Sequence, residues 1–206
     1  MSSQANLFSD EVLNQGAGQA LVHLRETALV CQKCELHKLR TNVVFGTGCA
    51  VEPHIAFVGE APGANEDATG IPFVGKAGQT FDKMLGAMGL TRDQIYICNT
   101  LGCRPPENRV PEANELKACF PFLRGQLRVI RPKVIVAMGA TAAKVLLKSS
   151  RALKEQRGLW YEWEDIPVRV TYHPSGLNRD PSKKPEAWRD LQAVMKRLGL
   201  TPSTPL

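Results

Sequence analysis

The sequence predicts an α/β fold, a parallel sheet covered by helices on both faces. Two observations carry that expectation. Short apolar runs alternate along the chain with longer stretches whose apolar residues fall at helical spacing. Each apolar run also stops at a glycine, a proline or an isolated polar residue. In open α/β sheets ligands lie outside the carboxyl ends of the strands, so those stops are the natural place to look for function.

In chain order, Leu21, Leu24 and Ala28 share one helical face ahead of Cys31. Residues 55–58 (IAFV) form the first strand, broken by the turn residues of EAPG (60–63). From Lys76 to Gly89, Phe81, Met84, Leu85 and Met88 recur at helical spacing, with Gly89 as the stop. Residues 95–98 (IYIC) give the second strand. Residues 111–130 read as a helix interrupted around Pro121, because proline lacks the amide proton a helix interior needs. Residues 133–138 form a buried strand and 140–147 a helix. Residues 160–163 and 168–172 read as paired strands, and 188–198 as a closing helix. The Thr/Pro-rich end from Thr201 is expected to be loose.

At 206 residues the chain can bury one full core. No apolar run approaches the roughly 18 to 20 residues of a membrane span. The start, MSSQANLFSDE, lacks the basic and apolar regions of a secretory signal. A cytoplasmic protein is therefore expected. A net charge of +6 permits a polyanionic partner without requiring one.

The strand stops collect Gly59, Glu60 and Ala61 after the first strand, Asn99 after the second, Gly139 after the third and His173 after the last. The last of these sits in VTYHPSGLNRDP (170–181), where Pro174 and Gly176 prevent the strand from continuing. Each residue alone is compatible with a cap or a solvated loop; on one sheet edge together they describe a site. Six cysteines in an intracellular chain are not expected to pair as disulfides. Cys49 and Cys98 read as small buried side chains. Cys31 and Cys34 form a C-x-x-C, whose spacing lets two thiolates reach one metal. Cys103, at a loop entry, and Cys119, within a helical pattern, do not make a second knuckle. Donor chemistry leaves zinc and an iron–sulfur cluster both open.

Several stretches then carry a resemblance. GEAPGANED (59–67) followed by GIPFVGKAG (70–78) resembles the first motif of the family 4 uracil-DNA glycosylases. Asn99, CRPP (103–106) and Asn108-Arg109 resemble that family's next segment, and HPS (173–175) its second motif. The resemblance implies a three-layer α/β/α domain over residues 1–200, around a central, mainly parallel four-stranded sheet, with 201–206 as a tail. It implies an enzyme that flips uracil from DNA and hydrolyses its N-glycosidic bond, releasing free uracil and acting as a monomer. It also implies that Cys31, Cys34, Cys103 and Cys119 hold a 4Fe–4S cluster of structural role, beside a basic surface that includes Arg104 and Arg109.

Residue roles follow from the same resemblance. Phe73 is suited to stack on the extruded base. Asn99 can donate to O4 of uracil and accept from N3–H. Main chain near Gly59, Glu60 and Ala61 can hold a carbonyl oxygen, and Glu66 crowds the methyl that distinguishes thymine. His173 is placed to hydrogen-bond the O2 that gains charge as uracil leaves. The family 1 enzymes carry an aspartate at the position of Ala61; without it, leaving-group stabilisation supplies most of the rate and Glu60 contributes less. One departure stands out: family 4 members usually continue the second motif as His-Pro-Ala-Tyr-Leu, whereas this chain reads HPSGLNR (173–179), closer to the mismatch-directed uracil/thymine glycosylases. Ser175, Leu177 and Arg179 therefore read as DNA contacts, with Leu177 the wedge into the duplex and Arg179 the partner of a phosphate or the opposing base. A non-enzymatic, metal-organised nucleic-acid-binding module is the alternative. A small-molecule enzyme built on Glu60 and His173 would leave the cysteines and the charge without a purpose.

Overall fold

A computed structural model describes residues 16–201; the N-terminal 15 residues and the tail beyond Thr201 lie outside the described residues, so the expectations for the MSSQANLFSDE start and for the loose tail are not addressed. Helices are labelled α1 (Ala17–Leu29), α2 (Ala64–Thr69), α3 (Lys76–Ala87), α4 (Ala113–Ile130), α5 (Ala140–Leu147), α6 (Leu153–Gln156), α7 (Pro174–Arg179) and α8 (Lys184–Leu198). Strands are β1 (Thr47–Gly48), β2 (Ile55–Gly59), β3 (Tyr96–Asn99), β4 (Val134–Met138), β5 (Trp160–Trp163) and β6 (Ile166–Thr171).

They form one sheet in the order β1-β3-β2-β4-β6-β5. The four inner strands, β3, β2, β4 and β6, are parallel to their neighbours, as expected. The edge strands are antiparallel additions, making six strands rather than four. Beyond β2 the order reverses, with β3 on one side and β4 on the other, which opens a crevice at the carboxyl ends.

Burial on both faces explains the unbroken apolar runs of the inner strands. Ile55, Phe57, Ile97, Val134 and Val136 face one layer with Phe81, Met84 and Leu85 of α3, Leu177 of α7 and Leu191 and Val194 of α8. Ala56, Val58, Cys98, Ile135, Ala137, Val168 and Val170 face the other, against Leu123 and Leu127 of α4 and Ala143 and Leu146 of α5. A smaller cluster packs α1 on α4 through Leu24, Ala28, Phe45 and Phe122. The three layers are thus present.

Two expectations need local correction. Helix α4 runs straight through Pro121; the buried stripe of Leu123, Leu127 and Ile130 outweighs the one hydrogen bond proline forfeits. The HPSG turn opens α7, with His173 as N-cap and Pro174 at the first helical position, where the missing amide proton is not needed. The β5–β6 pairing is a hairpin whose two linking residues, Glu164 and Asp165, both have positive φ, as a tight right-twisting turn requires.

Candidate active site at the strand ends

β2, β3, β4 and β6 end in register, Gly59 beside Asn99 and Met138 beside Thr171. The segments leaving them enclose a cleft of about 620 Å³, within the range of small-ligand sites. Glu60, Ala61, Glu66, Phe73, Asn99, Gly139, His173 and Arg179 all line it, so most of the sequence-predicted residues converge.

Gly59, at the end of β2, is crowded by side chains from β3 and from the loop that carries Phe73. A Cβ there would collide with Asn99 Oδ1 and meet Phe73 Cζ at 2.6 Å. Asn99 is 8% exposed, and its buried amide oxygen has no hydrogen-bond partner in the protein. An unpaired buried acceptor is costly, about 1–3 kcal/mol, so it marks a place where a donor is meant to arrive. The loop after β3 is tied to that after β2: Thr100 and Leu101 N–H donate to Gly59 and Glu60 carbonyls at 3.0 and 3.1 Å.

Phe73 sits in a left-handed conformation, φ 57°. Arg92 holds it there by donating to the carbonyls of Pro72 at 3.1 Å and Phe73 at 2.5 Å. Gly78 makes room, because any side chain would overlap the Phe73 carbonyl. The ring packs on Phe81 at 5.2 Å and on His173 at 5.6 Å. Glu66 ties the same loop: its carboxylate accepts from Gly63, Val74 and Gly75 N–H at 3.1, 2.9 and 2.8 Å.

His173 is oriented by its own helix. Ser175 N–H donates to Nδ1 at 3.2 Å and the Ser175 hydroxyl lies 2.8 Å from it. With Nδ1 an acceptor, the neutral ring carries its proton on Nε2. Burial, reinforced by the nearby Arg179 charge and opposed by Glu66, lowers the His173 pKa to about 4. The neutral donor is the form at physiological pH. Glu60 accepts a hydrogen bond from the Thr141 hydroxyl, at the start of α5.

One sequence expectation changes. Leu177 is 2% exposed and packed in the core under α7, so it is not presented as a wedge into DNA; helix formation turns it inward while leaving Arg179 exposed at the rim. Ser175 lines the cleft and bonds His173. Arg109 also lines the cleft, gripped by the Glu115 carboxylate at 2.9 and 2.6 Å and by Glu112 at 3.2 Å. Thr141, Arg92 and Gly78 are site residues that sequence reasoning missed. Gly78 lies within the quoted GIPFVGKAG; Thr141 and Arg92 carry no local signal.

On the far side of Asn99 lies a second, smaller cavity, lined by Cys31, Cys103 and Cys119 with Val43, Phe45 and Phe122. Cys34 completes the set, lying close enough to Cys31, Cys103 and Cys119 for their charges to interact. Burial pushes the Cys119 thiol up to about 12 and raises Cys34 and Cys103 as well. Gly102 N–H points at Cys119 Sγ and Arg40 Nη1 at Cys103 Sγ, each 3.3 Å away. Four soft sulfurs in mostly apolar walls, with donors aimed at two of them, fit a polynuclear iron–sulfur group. Among the described residues, no three His, Cys, Asp or Glu side chains are arranged to close on a single metal ion. Of the other thiols, Cys98 is buried as expected, whereas Cys49 is half-exposed and donates to the Val51 carbonyl at 3.3 Å.

Comparison with known proteins decides the family. The uracil DNA glycosylase superfamily profile matches residues 45–192. The type-4 uracil-DNA glycosylase of Thermotoga maritima is 44% identical over 156 residues, spanning 75% of this chain and 81% of that one. That of Sulfurisphaera tokodaii is 38% identical over 192 residues, spanning 89% and 86%. The chain belongs to the type-4 uracil-DNA glycosylases. A type-5 uracil-DNA glycosylase of Pyrobaculum aerophilum is more distant, 34% identical over 60% of this chain and 62% of its own length. Both the cleft and the cysteines at 103 and 119 fall inside the matched superfamily region, while Cys31 and Cys34 precede it.

Proposed function

We propose that this protein is a DNA repair glycosylase that extrudes uracil from DNA, hydrolyses its N-glycosidic bond, and leaves free uracil and an abasic site. The observation that carries the reading is the buried, unpartnered Asn99 Oδ1 in the cleft floor, beside a neutral His173 whose free nitrogen bears the proton. Uracil offers an N3–H donor to that oxygen and O4 to the amide NH₂. Cytosine offers an acceptor at N3 and a donor at N4, the reverse pattern.

Phe73 flanks the base, and Gly59, lacking a side chain, lets Asn99 and Phe73 close in beside the strand end. Glu66, by holding the 63–75 loop, shapes the side of the slot where a thymine methyl would project. As the bond breaks, its electron pair goes to uracil N1 and charge spreads to O2. The His173 N–H stabilises that oxygen, and a water oxygen joins the sugar carbon and sheds a proton to solvent. A donor preset where charge develops is worth about 2.7–4 kcal/mol. Ala61 provides no carboxylate for the water, and Glu60 is already bonded to Thr141, so leaving-group stabilisation carries most of the rate. Arg179 at the rim serves the DNA backbone or the opposing base.

Cys31, Cys34, Cys103 and Cys119 hold a 4Fe–4S cluster in this reading. When bound it supplies a cross-link between the segment after α1 and the segment that carries Asn99, and no step of the hydrolysis needs it. In this reading the chain is also a monomer with one glycosylase domain. Free cysteines suit a reducing cytoplasm, and among the described residues no helix is long and apolar enough to cross a membrane.

The test is incubation with a uracil-containing oligonucleotide followed by alkaline cleavage. Strand scission confined to the uracil position is the expected outcome. Tight, salt-sensitive binding with no scission would instead indicate a nucleic-acid-binding module.

A further inference from the structure

With Leu177 in the core, the cleft has lost the apolar side chain that would take the place of an extruded base. The exposed large apolar residues among the described ones are Val22, Leu29, Val30, Leu39, Val51, Ile71, Val74, Val110 and Leu159. Of these, Val110 alone lines the cleft. It is 70% exposed.

Its loop is built to hold it there. Glu107 and Asn108 both adopt left-handed backbone, φ 52° and 56°, a conformation that costs a non-glycine residue energy and persists only when neighbours impose it. Here they do. Asn108 Oδ1 accepts from Arg104 Nε at 2.8 Å. Asn108 and Arg109 N–H donate to the Pro105 and Pro106 carbonyls at 3.1 and 3.0 Å. Arg109, gripped by Glu115, donates its Nη1 to the Val110 carbonyl at 3.2 Å. Pro111, buried, restricts the backbone of Val110, the residue before it. The Arg109–Glu115 pair thus acts as a clamp on a presented valine.

From this geometry we infer that Val110, at the same cleft as His173 and Arg179, is the residue that presses into the duplex when the base leaves. Apolar side chains that enter a base step offset part of the lost stacking. A single-stranded substrate has little stacking to replace, so the contribution is specific to duplex DNA. The inference rests on the glycosylase reading, and the experiment separates the two.

Single-turnover uracil release is measured on single-stranded and on duplex oligonucleotides of one sequence, with 2-aminopurine beside the uracil as a fluorescent report of unstacking. For Val110→Gly the ratio of duplex to single-strand rate should fall about tenfold, with a matching loss of the fluorescence rise on duplex binding, given unstacking costs of a few kcal/mol per step. Val110→Leu should keep or raise the ratio. Val51→Gly, an equally exposed valine before β2 and hence at the opposite sheet edge, should leave it unchanged. A wild-type ratio and fluorescence rise in Val110→Gly, or equal losses on both substrates, would overturn the assignment. Failure of the wild-type protein to release uracil from either substrate would instead sink the glycosylase reading.

Discussion

The cleft and the cysteine cavity meet at Asn99, and they are held in opposite ways. In the cleft the lining groups are fixed by the protein itself. His173 is set by Ser175, Glu66 by three backbone amides, Phe73 by Arg92, and Glu60 by Thr141. The cysteine cavity has two donors aimed at sulfur and walls that are mostly apolar, with Asn99 and Gln126 the polar exceptions. Burial raises the pKa of Cys34, Cys103 and Cys119, and a thiolate at those positions would be stabilised by a bound cation or cluster. The difference teaches that the reacting side is preorganised, whereas the cysteine side depends on what it binds. Asn99 belongs to both, as the last residue of β3 and four positions before Cys103.

The largest effect should come from removing the preset donor. His173→Ala is expected to slow single-turnover uracil release by about 10²–10³-fold, the scale of one anion-stabilising donor, while binding of uracil-DNA stays near wild type. Undiminished release would show that the cleft stabilises its leaving group by some other route.

Next in size is the shared residue. Asn99→Asp replaces an NH₂ donor with a second acceptor, which repels O4 and suits cytosine N4–H₂. Uracil release should drop by at least about 1–3 kcal/mol, and a trace of cytosine release is the accompanying signature. Matched U- and C-containing oligonucleotides make the measurement. If uracil release is unaffected, the open Asn99 oxygen does not face the base.

A smaller effect on chemistry, though a large one on the fold, is expected from the other cavity. Cys119→Ala should lower iron content and the thermal midpoint together, whereas Cys98→Ala, outside the cysteine set, should keep its iron. Elemental analysis finding about one zinc per chain and no iron would overturn the 4Fe–4S assignment.

How much of this was readable from residues alone divides along the same line. The inner sheet was legible because its strands are buried on both faces and therefore uninterrupted in hydrophobicity. Gly59, Glu60, Asn99 and His173 were legible because strand ends in such sheets are where ligands gather. Thr141 and Arg92 were not, since each reaches its partner only after folding, Thr141 across 81 positions. Leu177 was misread because GLNR looks like an exposed turn. Pro174 at a first helical position was the available signal that a helix begins there, and a helix turns Leu177 inward. The edge strand β1 was missed because the two residues Thr47–Gly48 carry no periodicity, whereas the other edge, β5, was legible from the apolar run at 160–163.

The smallest expected effect is on pH dependence, and it distinguishes a preset neutral donor from an imidazolium. With His173 near 4 in the folded protein and about 6.5 when unfolded, the ring stays neutral on folding through the ordinary histidine range. Between those values the unfolded chain binds a proton that the folded chain does not. The stability from keeping the ring neutral is therefore fully present above 6.5 and is lost as pH falls towards 4. Single-turnover uracil release should accordingly be flat from about pH 8 down to 5.5, with no inflection near 6.5. Removing the Arg179 charge, which helps hold the pKa down, should move the acid limb towards higher pH, because one of the terms opposing protonation is gone. A wild-type rate that climbs as pH falls through 6.5 would mean that the charged ring is the working form, and the cleft would then not be preset in the way its hydrogen bonds imply.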